Sequence, residues 1–382
     1  MIHILHINLI AGRSGAAGLC QSIIDGLDSG QFSSHQLVGY DFVGQKNTTS
    51  KYITTTSKRY KTIRYKGAVG LNFLFELMTP ECIDYKRLSQ QVFYQQADII
   101  HLHSIQGGYF NRHDLDKIST EKKIIMTLHD DWIVSGNDQN NNLFPYKKNF
   151  QYNKRLEVLQ PLPITYVGVS DWMSNKIKND PIVGSNAIYT IYNGINTSIF
   201  KETDKIQARN QLGLPLDKTI SISIAGSGSK SNLKGLQYVK KLAKQYKSDS
   251  SVLFMTIGNH TYNSYENIIE LPFISQQDIA LYFSAADIFL YPTLADSFGL
   301  VVAESLACGC PVITFNTGGV PEIITNKKGN YIAKYKDYDD LLQGFQGAIK
   351  QKNTISVSLD HKFSLHHMIQ QYQELYLKLH NT

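Results

Sequence analysis

Short apolar runs alternate along the chain with polar turns and stretches of helical spacing, the repeat that lays down a parallel sheet covered by helices. Residues 2–9 alternate apolar and polar positions and predict a first strand; a glycine-bearing loop follows, then a helix over about 16–27. Further strands are predicted at 97–104, 124–128, 164–170 and 187–192, and again at 219–225, 251–258, 288–291 and 312–315. Pro292 closes the 288–291 run, a helix is predicted from about 300 to Gly309 with Pro311 as its stop, and Pro321 suits the first position of another helix. Between 134 and 160 the chain is polar, rich in Asn and Lys and without a clear period, which predicts an irregular insertion of the kind that forms substrate lids. At the far end Leu365, Met368, Ile369, Tyr372, Leu375, Tyr376 and Leu379 recur at three-and-four spacing, the stripe of a long amphipathic helix.

A chain of 382 residues exceeds what one core usually covers. Two doubly wound α/β domains with a cleft between them are therefore expected, parted at the turn around 193–196: residues 1–195 and residues 196–363. The composition, 42% hydrophobic and 18% charged, is that of a globular protein, and no apolar run is long enough to span a membrane. The first residues read as a strand and not as a secretory signal. Cys20, Cys82, Cys308 and Cys310 form no metal-binding pattern, and a reduced, cytoplasmic protein is expected.

The net charge of +6 is modest, but the stretch 45–66 carries Lys46, Lys51, Lys58, Arg59, Lys61, Arg64 and Lys66 without an acidic residue. An apolar segment adjoins it, so residues 45–78 could dock on an anionic membrane face or acceptor, or form a solvated loop beside a core helix. Nucleic acid is a weaker partner, since no recognised binding motif accompanies these charges.

Candidate chemistry gathers where strands end. Gly12, Gly15 and Gly18 follow the first strand at a spacing of three, which is not a dinucleotide fingerprint, yet such a turn lets backbone approach a phosphate or a sugar closely. His101 and His103 share one face of a strand; with no third ligand identifiable from sequence, structural or site-facing roles outweigh a metal. His129, Asp130 and Asp131 bunch at the end of the 124–128 strand. The run from Gly226 to Ser231 imitates a nucleoside-triphosphate loop, but Ser229 separates Gly228 from Lys230, and that reading is rejected. Beyond it stand Lys234 and Gly235, and later Asp296 and Glu304, which are separated by seven residues and followed by A-C-G-C-P-V-I.

This last composite resembles the donor-binding signature of the retaining glycosyltransferases of family 4, which have the GT-B fold. The T-L-H-D-D-W run resembles a bacterial surface-polysaccharide branch of that family. The resemblance covers nearly the whole chain and is weakest over 44–83. It implies that Asp296 (usually Glu in the family) sits by the transferred sugar, with Glu304 on the nucleotide ribose and Lys234 on the diphosphate. It places His129 against the donor sugar, 271–275 with Phe273 and Ile274 against the nucleobase, and the terminal helix 364–380 back on the first domain. Gly15 and Ser14 match the loop that faces the donor diphosphate and the acceptor. An Arg that the family often carries before the Lys is replaced here by Gly228 or Ser229, leaving Lys230 to supply that charge.

Such chemistry suits these residues. Cleaving a sugar–phosphate bond needs positive charge for the leaving diphosphate, which Lys234 and the N–H groups at Gly299, Leu300 and Val301 would supply beside Ser297 and Phe298. Glu304 can accept two hydrogen bonds from vicinal hydroxyls. His103, Asp130, Asp131 and Ser14 are the acceptor-side candidates. The resemblance therefore predicts a metal-independent, retaining enzyme with no cofactor. It would use a UDP- or GDP-linked sugar and a glycan or lipid-linked acceptor, at the inner face of the plasma membrane or free in the cytoplasm. A nucleotide-sugar epimerase, a phosphorylase on a related scaffold and a catalytically silent sugar-binding subunit are the alternatives.

Overall fold

The computed structural model describes residues 1–10, 12, 15–40, 84–106, 109–135, 145–225, 233–258, 267–326, 328–351 and 357–382. The basic stretch 45–66, the adjoining residues to 78, Ser14 and Lys230 lie outside these. The described chain divides into two compact units, Met1–Tyr192 with Met368–Thr382, and Asn193–His367.

In the first unit the strands are β1 (Ile2–Ile10), β2 (Phe32–Tyr40), β3 (Ile99–Leu102), β4 (Lys123–Leu128), β5 (Ile164–Gly168) and β6 (Ile188–Thr190). They form one sheet in the order β2-β1-β3-β4-β5-β6, each pair parallel. Every residue of β3 is buried, as a strand covered on both faces must be. Leu5, Ile7, Ile100, Leu102 and Met126 are all essentially out of solvent, each such side chain contributing about 2 kcal/mol of burial. Ser170 caps the Asp171–Ile177 helix, its hydroxyl accepting from the Met173 N–H at 3.1 Å. Met368, Ile369, Tyr372, Leu375 and Tyr376 of the terminal Leu365–His380 helix are buried, and that helix's Tyr376 bonds to His101 of β3.

The insertion expected over 134–160 is in part a regular helix, Pro145–Leu159. Its core-facing positions Arg155 and Leu159 lie with Tyr152 and Leu156 at helical spacing, but one of the four is an arginine, so no apolar stripe shows in the sequence. Arg155 is 2% exposed; its Nε donates to the Ile133 carbonyl at 3.1 Å and its guanidinium lies 5.0 Å from the Trp132 ring centre.

The second unit repeats the plan with β7 (Thr219–Ile224), β8 (Val252–Ile257), β9 (Ile268–Leu271), β10 (Ile288–Tyr291), β11 (Val312–Phe315) and β12 (Tyr331–Ala333). The parallel order is β12-β11-β10-β7-β8-β9. The Ser/Ile alternation of β7 does not mark an exposed face, because the strand is central and Ser221 and Ser223 are buried. A charged knot fixes its start. Asp287, 4% exposed, accepts from the Ile220 N–H at 2.8 Å and pairs with Arg209 at 2.6 Å and Lys205 at 2.8 Å. The same Ala-Asp-Ile tripeptide opens β3, where Asp98 accepts from the His3 N–H at 2.8 Å. In both units an aspartate at a strand entrance thus satisfies the backbone of the neighbouring strand.

Candidate active site

In the second unit the loops after β7, β10 and β11 are laced together by backbone. Gly235 has φ +74°, and a Cβ there would stand 1.9 Å from the Pro292 carbonyl oxygen. Gly318 has φ +58°, and a Cβ there would stand 1.8 Å from the Asp296 oxygen. Only glycine meets both demands at each position, a left-handed backbone and no side chain. The Leu294 N–H donates to the Leu233 carbonyl at 2.7 Å and the Gly319 N–H to that of Asp296 at 3.2 Å. Lys234 and Asp296 are thereby held on one another.

Their side chains close a triangle with Tyr291, the last residue of β10. Lys234 Nζ donates to Asp296 Oδ2 at 2.7 Å and to the Tyr291 hydroxyl at 2.6 Å, and that hydroxyl donates to the same Oδ2 at 2.7 Å. Asp296 Oδ1 accepts from the Phe298 N–H at 3.3 Å. Burial alone would favour the neutral forms of Lys234 and Asp296, but each holds the other charged: the ammonium pKa is raised and the carboxyl pKa lowered. Burial pushes the Tyr291 phenol up, so it stays neutral.

The Leu300–Ala307 helix starts directly after this triangle, with Gly299 as its N-cap. Its first N–H groups, at Leu300 and Val301, point out of the helix start, as those of every helix do. Glu304, 8% exposed, lies one turn inside, and burial raises its carboxyl from 4.5 to about 7. Ser297 and Phe298, within the loop, are buried. Phe273 is 82% exposed and Ile274 half-buried, so the segment expected to meet a nucleobase presents a bare aromatic ring.

In the first unit β1, β3 and β4 bring together four histidines. The register sets His6 beside His101, and His103 and His129 follow at the strand ends. His6 Nδ1 lies 3.1 Å from His103 Nε2, and His103 Nδ1 lies 3.0 Å from His129 Nε2. Separately, His101 reaches the Tyr376 hydroxyl and Thr127 Oγ1, both at 2.7 Å. Burial lowers the His6 pKa to about 3, that of His129 to about 4, and those of His101 and His103 well below the usual range. The sequence identified no third ligand to go with His101 and His103; the structure supplies one in His6, the three offering nitrogens within 4.8 Å of one another. Both nitrogens of His101 are already engaged, so a metal there would have to displace Tyr376 or Thr127.

Asp130 borders the same corner, accepting from the Trp132 N–H at 3.0 Å and from Gln106 at 3.2 Å. Asp131 is drawn away to an ion pair with Lys176. Gly15 opens the Gly15–Gly26 helix with φ +56°, and no atom of the described residues lies within 4 Å of its Cβ position.

Two residues escaped the sequence reading. Tyr291 ends an apolar run and reads as core; the only hint is its place as the last residue before Pro292. His6 sits in an alternating strand whose pairing with His101 needs the sheet order to become visible.

The paired parallel sheets are those of a GT-B protein. The chain is similar to sucrose-phosphate synthase from Thermosynechococcus elongatus, with a TM-score of 0.75 and 15% identity over 99% of both chains. It is also similar to HepE from Anabaena, solved in complex with UDP and glucose, with a TM-score of 0.67 and 14% identity over 99% of this chain and 100% of that one. Residues 204–364, most of the second unit, match the family described as glycosyl transferases group 1. Among curated proteins, the chain is 24% identical to an uncharacterized 41.2 kDa protein in the cps region of Klebsiella pneumoniae, over 74% of this chain and 79% of that one. It is 26% identical to D-inositol 3-phosphate glycosyltransferase of Mycobacterium tuberculosis over 41% of this chain, a match spanning 36% of that relative.

Proposed function

We propose that the protein moves a sugar, with retention of anomeric configuration, from a UDP- or GDP-linked donor to a glycan or lipid-linked acceptor in bacterial surface-polysaccharide assembly. The observation that carries this reading is the Lys234–Tyr291–Asp296 triangle at the start of the Leu300–Ala307 helix, with Glu304 buried one turn on, inside the stretch that matches glycosyl transferases group 1. The likeness to a cps-region protein and to a structure solved with UDP and glucose supports the substrate class.

In this reading Lys234 and the helix N-terminus take the diphosphate. Glu304 accepts the ribose hydroxyls, and Phe273 and Ile274 meet the base. Asp296 and His129 contact the sugar. The C1–O bond to the phosphate breaks as the acceptor oxygen bonds to C1 on the same face, and the acceptor's proton passes to the leaving phosphate oxygen. No protein nucleophile or metal is assigned a step. Ser14, Lys230, His103, Asp130 and Asp131 stay as lesser candidates, the last already paired with Lys176. The reading places the protein in the cytoplasm, with residues 45–78 as a peripheral membrane contact.

Thermal unfolding in the presence of UDP, GDP, ADP and their glucose conjugates tests the reading. One base series should raise the midpoint of the wild type, because a ligand of the folded state stabilises it. A flat response to every nucleotide would sink the proposal.

A further inference from the structure

We propose that His6 and His103 form a hydrogen-bonded file that fixes His129 as its Nδ1–H tautomer, so that His129 presents a donor and not a bare nitrogen at the strand ends of the first unit. The three rings are nearly parallel, with interplanar angles of 20° and 19° and centres 5.4 and 5.3 Å apart. They are joined nitrogen to nitrogen at 3.1 and 3.0 Å. Between two neutral imidazoles each such contact holds a single proton, donated by one ring and accepted by the other. The file therefore has only two internally consistent registers. Either every proton points inward, ending in an N–H at His6 Nε2, or every proton points outward, ending in an N–H at His129 Nδ1.

The surroundings of the two ends decide between them. Among the described residues neither His6 Nε2 nor His129 Nδ1 has a hydrogen-bond partner. His6 is fully buried, packed against the rings of His101 and Tyr376. An orphaned donor is rarer in a dry interior than an under-used acceptor, so the bare nitrogen belongs there. His129 is half-buried as a residue, although its Nδ1 is itself shielded from solvent, and with His103, Gln106 and Asp130 it lines a cavity of about 10 Å³, about what one water needs. The outward register puts the unmet N–H on the ring that borders that cavity, and leaves the bare nitrogen on the ring that is fully enclosed.

Among the described residues no further hydrogen bond branches the file. His101 spends both nitrogens on Tyr376 and Thr127, and Asp130 spends its carboxylate on Trp132 and Gln106. The low pKa values keep all three rings neutral near pH 7. The use of the His129 donor toward a sugar oxygen rests on the glycosyl-transfer reading; the tautomer does not.

The test is a long-range proton–nitrogen correlation spectrum of the full chain labelled with ¹⁵N-histidine at pH 7, with His129 assigned by its loss in His129→Asn. The expected spectrum shows a protonated Nδ1 and a bare Nε2 on His129. In His6→Phe the lock is lost and His129 shows mixed tautomers. In His6→Asn, whose amide can donate to His103 Nε2, the outward register returns. A wild-type His129 protonated on Nε2 overturns the proposal, so it stays falsifiable even if His6→Phe fails to fold. A folded His6→Phe with unchanged His129 signals, or stoichiometric zinc bound by the three inner histidines, overturns it too. Because the spectrum needs no substrate, its failure is distinct from a flat nucleotide screen.

Discussion

The polar clusters of the two units answer the same problem, polar groups at the ends of buried parallel strands, in opposite ways. In the first unit His6, His103 and His129 are stripped of charge and joined to one another, with one nitrogen left over at each end. In the second, Lys234 and Asp296 keep their charges by bonding directly to each other, with a neutral tyrosine bonded to both. The difference teaches what each can do. A neutral file orients hydrogen bonds and holds no counter-ion, whereas a buried ammonium bound to a carboxylate is a charge that an incoming phosphate can recruit.

The contrast breaks most visibly at Lys234. Lys234→Ala should lower turnover by about 10²–10³-fold, the usual effect of losing a main stabiliser of developing negative charge, as read in a transfer assay with the donor found by nucleotide screening. Near-normal turnover would remove Lys234 from the chemistry and make the triangle structural.

Next comes Glu304, a carboxyl that shares the burial of the histidines but lies in the charged unit. Its pKa is raised on folding from 4.5 to about 7, so its contribution to stability is complete below the unfolded value and fades as pH climbs through about 7. The nucleotide-free protein should lose up to about 3 kcal/mol between about pH 5 and pH 8, and Glu304→Gln should flatten that slope in urea titrations. Identical slopes in the two proteins would refute the buried-acid account.

The smallest effect sharpens the neutral side. Tyr376→Phe removes one partner of His101 without changing shape, and should cost about 1–2 kcal/mol of stability with no new pH dependence between about pH 6 and pH 8. A pH-dependent loss in that window would show that His101 charges, against its place among neutral rings.

The sequence carried the architecture well because the apolar runs that build each parallel strand also mark its ends. The strand at Ile288–Tyr291 and the helix at Leu300–Ala307 are bounded by the same Pro and Gly residues that punctuate the sequence. The helix Pro145–Leu159 was not legible, because it anchors itself with Arg155 where a reader expects an apolar residue. As candidates, Asp296 and Glu304 could be picked out from their spacing along the chain. Other polar neighbours were not legible, where two distant strands must be laid side by side, as for His6 with His101, or where a buried, core-like residue sets its hydroxyl against a charged pair, as Tyr291 does. The pairing of Asp131 was likewise hidden, because its partner Lys176 lies on the distant Asp171–Ile177 helix.

The tyrosines that press on His101 come from residues 368–382, which follow the whole of Asn193–His367 in the chain. A ribosome building this protein finishes the first sheet long before it makes that covering helix. At ordinary synthesis speeds the gap is on the order of ten seconds or more. Throughout that interval the nascent first unit carries an open apolar flank, which makes it a natural client for chaperones until the last turn emerges.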